Sequence, residues 1–223
     1  MKSNYFNVEV KPTMPLAQQD DGAYAVRNIL FDWTPFQIPR GPAKLIGATA
    51  LVRGVDGVKQ VAPIELLYAK TKDAGNTAPP TLGTTHATIS TGGWANHLIG
   101  ASYLDADSNH DEYEQGRVAD LVTMTMLHGP EDGRGLVLVP EPNSGDTIGL
   151  DTLYVAGIAR GSLDFSTTVL CRGGASEGAT TVSTDAGSND DPNAELKFSP
   201  GDILHAPTNG LVGTVKSIAA FST

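Results

Sequence analysis

Gly174-Ala175-Ser176-Glu177-Gly178 matches the Gly-x-Ser-x-Gly pattern of a nucleophile elbow, where a strand feeds a strained turn that opens into a helix and exposes a serine hydroxyl for acyl transfer. The residues that follow, Ala179-Thr-Thr-Val-Ser-Thr-Asp-Ala-Gly-Ser188, will not make that helix. An esterase-like enzyme built on Ser176 is therefore the minor reading, and no catalytic residue is assigned. Asp105, Asp107, Asn109 and Asp111 fall at every second position, as the oxygen ligands do in the first half of a calcium loop. The second half departs from it, with His110 at the glycine position and Gly116 where an acidic residue should close the loop. A solvated acidic turn is the expectation, a cation site completed by a partner the alternative, and no metal is assigned.

The five histidines, His86, His97, His110, His128 and His205, form no His-x-x-x-His pair. No phosphate-cradling glycine loop precedes a helix, and no cofactor is expected. The lone cysteine, Cys171, lies in the strand-like Ser166-Thr-Thr-Val-Leu-Cys171, where a small buried apolar residue is the plain reading. It can form no intrachain bridge, so stability must come from packing or from association. Trp33 and Trp94 sit in strand-like contexts that favour a core role, although either indole has the shape to stack on a sugar.

The elements that would position these residues are short strands. With 25 Gly and 14 Pro in 223 residues, the chain is punctuated too often for long helices, while 40% hydrophobic content can fill a core. The formal charge of −10 opposes phosphate, so neither nucleic acid nor an anionic membrane is an expected partner. The first residues lack the apolar core of a secretion signal, and no run approaches the length of a membrane span. Synthesis as a soluble protein in the cytoplasm is the expectation.

Residues 1–26, with Pro12, Pro15 and Gln18-Gln-Asp-Asp-Gly22, read as an extended arm that orders against something else. Residues 27–223 read as one β-domain of about ten strands. Ile29, Phe31 and Trp33 alternate with Asn28, Leu30 and Asp32 and predict one strand with those three on its buried side. Lys44–Arg53 and Ile64–Ala69 continue a meander, followed by strand at Thr88-Ile-Ser90 and His97–Tyr103. Asn109 and Glu112 have the spacing of a capping box and mark one possible short helix. Val122–Met126 and Leu136–Val139 read as a hairpin with a long turn, and Leu150–Ala159 and Asp164–Cys171 as two more strands. Long surface loops are expected near 73–87, too polar and Pro-rich for a core element, and near 173–193, nearly free of large apolar residues. The fold class is all-β, an antiparallel, jelly-roll-like β-sandwich with an N-terminal arm.

The Pro- and Gln-containing arm, the segment Ile29-Leu-Phe-Asp-Trp-Thr-Pro-Phe-Gln-Ile-Pro-Arg-Gly41 and the ending Phe198-Ser-Pro-Gly-Asp-Ile-Leu-His-Ala206 together resemble capsid decoration (cement) proteins of tailed phages. The resemblance covers both ends of the chain and little of its middle. It implies a trimer on the outer capsid surface of the virion, bridging major capsid protein subunits and stabilising the shell, and it brings no catalytic residues. Expected docking and oligomer contacts are Tyr5, Phe6, Val8 and Val10 of the arm with Pro39, Arg40 and Pro42 of the following turn. The rival reading is a carbohydrate- or receptor-binding module on a virion or cell surface that uses Trp94 and the acidic loop.

Overall fold

The computed structural model describes residues 5–12, 23–53, 62–73, 77–90, 92–104, 121–126, 135–141, 149–164, 170–171, 184–185, 203–206 and 210–217. Among them the regular structure is all strand, apart from one 3-10 turn at Gly93–His97, and every pairing is antiparallel. Four strands form the main sheet in the order β1 (Ile29–Pro39), β8 (Leu150–Ala159), β4 (Ile64–Lys70), β5 (Leu98–Leu104). Two ribbons lie apart from it: β2 (Ala43–Leu45) with β7 (Leu136–Leu138), and β3 (Ala48–Arg53) with β6 (Leu121–Met126). Two short pairs complete the set, β9 (Leu170–Cys171) with β10 (Thr184–Asp185) and β11 (Ile203–Ala206) with β12 (Gly210–Thr214).

The anticipated hairpin of 122–126 with 136–139 does not form. The stretch from Ala43 to Arg53 supplies a partner for each segment, so β7 pairs with β2 and β6 with β3. Alternation identifies a strand and its faces, but it carries no information about which strand lies alongside.

β8 is central, and all of it beyond Leu150 is buried. Its near-continuous apolar run is what a strand covered on both faces requires. On one face Leu67 of β4, Ala156 and Ile158 of β8 and Ile29 of β1 pack with Leu82, and Trp33, Ile89 and Trp94 close around them. On the other, Tyr68, Leu153, Val155 and Ile38 meet Leu138 of β7, with Leu45 and Leu136 packed beside them. A third cluster around Tyr24, Leu30, Ile64, Leu104 and Leu163 continues this second face, and Ala48 and Ala50 of β3 lean on it. Each fully buried Leu or Ile here contributes about 1.5–3 kcal/mol.

In the segment near 73–87, anticipated as a surface loop, most of the described residues are exposed, while Leu82 supplies part of the first face's cover. Leu82 is 1% exposed, and the segment is tied to the main sheet by backbone bonds from His86 N–H to Ile29 O and from Ile29 N–H to Ala87 O, at 2.8 and 2.9 Å. Asp32 adds the link that composition hides: its Oδ1 accepts the Leu82 N–H at 3.1 Å and its Oδ2 accepts the Thr81 hydroxyl. Polar and Pro-rich character reports backbone conformation rather than exposure, and one leucine among turn residues suffices to seat the loop. Of Thr88-Ile-Ser90 only Thr88 pairs, as an isolated bridge to Asn28.

The expected burial of Ile29, Phe31 and Trp33 on one side is corrected as well. β1 carries register shifts between Ile29 and Phe31 and between Phe31 and Thr34. Each bulge inserts a residue and reverses the alternation beyond it, so Ile29 and Trp33 serve the loop-covered face while Leu30 and Phe31 serve the ribbon-covered one. Gly157 sits opposite Phe31, and a Cβ there would lie 2.2 Å from Phe31 Cε1. The bare backbone at 157 is the floor on which the ring rests.

Within the span expected as arm, Tyr24 is fully buried, exchanging backbone hydrogen bonds with Leu163 at 2.7 and 3.2 Å. Residues 13–22, the anticipated helix near Asn109 and nearly all of the 173–193 loop lie outside the described residues.

Candidate functional site

Pro39 ends β1 opposite Leu150, the first residue of β8. The chain must then reverse into the β2–β7 ribbon, and it does so through Arg40 and Gly41. Gly41 has φ +99°, a left-handed conformation that a side chain would strain. Two bonds hold the turn: Arg40 N–H donates to Gly149 O at 2.9 Å, and Gly41 N–H donates to Asp151 Oδ2 at 2.8 Å. Asp151 is 2% exposed, and its other oxygen faces the Arg40 guanidinium, Nε at 3.9 Å. With the Arg40 side chain more than half exposed, this ion pair adds little stability. Its consequence is placement: a cation stands at the surface on a turn whose backbone is fixed from below.

The arm reaches the same end of the sheet. Val10 is half-buried against the cluster of Ile38, Leu153 and Leu138. Asn7, Val8 and Glu9 form one wall of an open groove of about 700 Å³ whose other wall includes Pro35, Gln37, Leu150 and Tyr154. Leu150 is thus shared, lining the groove beside Val8 and pairing with Pro39. Beyond Val10 the arm's apolar side chains are open to solvent, Tyr5 at 79%, Phe6 at 45% and Val8 at 40%. Pro39, Arg40 and Pro42 are exposed too. Val8 and Val10, some thirty positions before Pro39 in sequence, therefore come to the same end of β1 and β8 as the turn.

Asp105, Asp107, Asn109, Asp111 and Ser176 lie outside the described residues, and among those described no three His, Cys, Asp or Glu side chains gather to hold an ion. Trp94 and Trp33 sit 6.5 Å apart and tilted by 55°, with their indole N–H groups donating to Ser90 O at 3.1 Å and Pro80 O at 2.9 Å. Both rings pack on the loop-covered cluster, so their polar edges and part of their faces are already engaged. Tyr68, buried between the sheet and the ribbon, shares a hydrogen bond of 3.2 Å with Ser102, and its burial pushes the phenol above its usual value of 10.0.

Two features of this region escaped sequence reasoning. Asp151 showed only as one carboxylate inside an apolar run, which in a buried strand calls for a partner. The outer face of the β2–β7 ribbon, where Lys44 stands opposite Val137 and both are exposed, follows from a pairing that the sequence does not specify. Among the described residues no helix is long and apolar enough to cross a membrane. Compared with known proteins, the chain matches no family model, no curated protein and no solved structure.

Proposed function

We propose that this protein is a virion structural protein, a capsid decoration (cement) protein that binds the outer capsid surface, bridges major capsid protein subunits and performs no bond-making chemistry. On this reading the domain is a jelly-roll-like β-sandwich that associates as a trimer, and neither nucleic acid nor membrane is its partner. Support for the sandwich comes from the apolar clusters on both faces of the main sheet, one of them closed by the β2–β7 ribbon. The observation that carries the docking role is the approach of the arm to the end of the sheet that bears the Pro39–Pro42 turn: exposed Val8 lines a groove with Leu150, the pairing partner of Pro39, and Tyr5 and Phe6 of the same arm are open to solvent. Exposed apolar side chains on an extended segment are costly for an isolated molecule and useful to one that orders on a partner. A shell repeats its sites by symmetry, so modest contacts of this size become tight when several copies hold one another in place.

The test is binding to purified expanded shells of the phage that encodes the protein. Removal of residues 1–12 is expected to abolish co-sedimentation, and unchanged occupancy would refute the docking role. Copy number per shell, read by quantitative gel densitometry, should be a multiple of three for each capsid site.

A further inference from the structure

The segment that covers the first face of the main sheet is held in two different ways along its length. Residues 84–89 are held by backbone: His86 N–H donates to Ile29 O at 2.8 Å, Ile29 N–H to Ala87 O at 2.9 Å and Ile89 N–H to Arg27 O at 3.0 Å. Residues 78–83 have no backbone–backbone bond to the sheet among the described residues. They are anchored by side chains instead. Asp32 accepts the Leu82 N–H and the Thr81 hydroxyl, Trp33 Nε1–H donates to Pro80 O at 2.9 Å, and the Leu82 side chain packs with Ile29, Leu67, Ala156 and Ile158. Ala78, Thr81 and Gly83 are exposed, and only Pro79 and Leu82 of this stretch are buried. Pro79 and Pro80 fix φ at successive positions, so the stretch is stiff and moves as one piece. Gly83 joins it to the pinned half at φ +138°, which glycine alone adopts readily, and the Gly83 N–H is bonded within the stretch, to Thr81 Oγ1 at 3.0 Å.

We propose that residues 78–83 form a flap that swings on Gly83 and lifts Leu82 from its seat while residues 84–89 and the main sheet stay folded. A stiff segment with a glycine at one end has the parts of a hinge, which concentrates its change of φ and ψ in a few loop residues. Opening releases the side-chain anchors from Asp32 and Trp33 and the burial of Pro79 and Leu82, and it leaves every strand pairing and the three backbone bonds of the pinned half intact. Segments held by so few buried contacts open well below the free energy of global unfolding. The flap gives the first face two states. With it down, Leu82 closes the apolar cluster; with it up, Ile29, Leu67 and Trp33 lose their cover and the face becomes an apolar patch that exists only in the open form. The motion needs neither a shell nor a second copy, so it stands or falls separately from the docking role.

The deciding experiment is hydrogen exchange followed by NMR on the full-length protein, in urea concentrations too low to unfold it. The Leu82 and Gly83 amides and the Trp33 indole N–H should exchange together, about tenfold or more faster than the Leu67 and Ala156 amides of the main sheet. Their rates should depend little on urea, because a small opening exposes little surface. The Ile29 and Ile89 amides, bonded in the pinned half, should exchange with the main sheet. Leu82 and Gly83 amides that share the rate and urea dependence of Ala156 would show that the stretch opens only when the domain unfolds, and the proposal would fall. Ile29 and Ile89 amides that follow Leu82 would show the whole covering segment lifting, which excludes a hinge at Gly83. A variant supplies an independent check. Leu153→Ala weakens the opposite face of the sheet, where Leu153 packs with Ile38, Tyr68 and Leu138. It should hasten exchange at Leu67 and Ala156 and leave Leu82 within about twofold of the parent. Equal acceleration at Leu82 would overturn the proposal, and if Leu153→Ala does not fold, Leu153→Val serves under the same criteria.

Discussion

Replacing Gly157 by alanine places a methyl group where the Phe31 ring lies. The added carbon would stand 2.2 Å from Cε1 and 2.8 Å from both Cδ1 and Cζ of that ring, against an optimum carbon–carbon separation of about 3.5–4.0 Å. The shortfall exceeds an ångström and involves one edge of the ring rather than a flexible tip. Relief requires Phe31 to rotate away from β8 or β1 to lift, and register shifts on both sides of Phe31 already set β1's path. Overpacking of this kind costs about 1–3 kcal/mol. At about 2–4 °C per kcal/mol for a chain of this size, Tm should fall by roughly 2–12 °C. The companion change Gly213→Ala meets open space and should be neutral or slightly stabilising. Thermal and urea melts of the parent, Gly157→Ala, Phe31→Leu and the double variant form a cycle that isolates the clash. With the ring removed, Gly157→Ala should cost under about 0.5 kcal/mol, which leaves a coupling on the order of 1–2 kcal/mol. A Gly157→Ala protein as stable as its parent, or a loss undiminished in the Phe31→Leu background, would refute the packing account.

Asp32→Ala removes both acceptors that seat the covering loop and should cost about 1–3 kcal/mol in urea unfolding, with faster hydrogen exchange at the Leu82 amide. Tyr68→Phe tests the buried phenol by pH. Because burial raises its folded-state value above 10.0, the unfolded chain loses its proton first, so this contribution is complete below about pH 10 and declines as pH rises further. The parent should therefore lose stability relative to Tyr68→Phe above that pH, and parallel stability profiles would count against the assignment. Asp151→Ala releases the Gly41 N–H and the Arg40 guanidinium, and a loss of about 1–3 kcal/mol is expected together with weakened shell binding. Retained binding by a folded Asp151→Ala protein would show that the turn needs no support from below.

Local chemistry made much of the architecture legible from the residues. Dense Gly and Pro exclude long helices, and period-2 runs such as Leu121–Met126 and the near-continuous apolar run of β8 mark strands. The Pro39–Pro42 turn was recognisable because a Pro-Arg-Gly-Pro cluster declares its backbone conformation. Pairing, facing and convergence belonged to the tertiary structure. β7 chose β2 over β6, two bulges turned Phe31 away from Ile29 and Trp33, and Leu82 drew a polar loop onto the sheet. Asp151 became a support only when β8 was laid against β1, and Val137 with Lys44 became one surface only when β7 met β2. The physical reason is common to all of these: conformational preference acts over a few neighbouring residues, whereas register, burial and the meeting of distant charges are set by contacts whose partners are chosen when the whole chain packs.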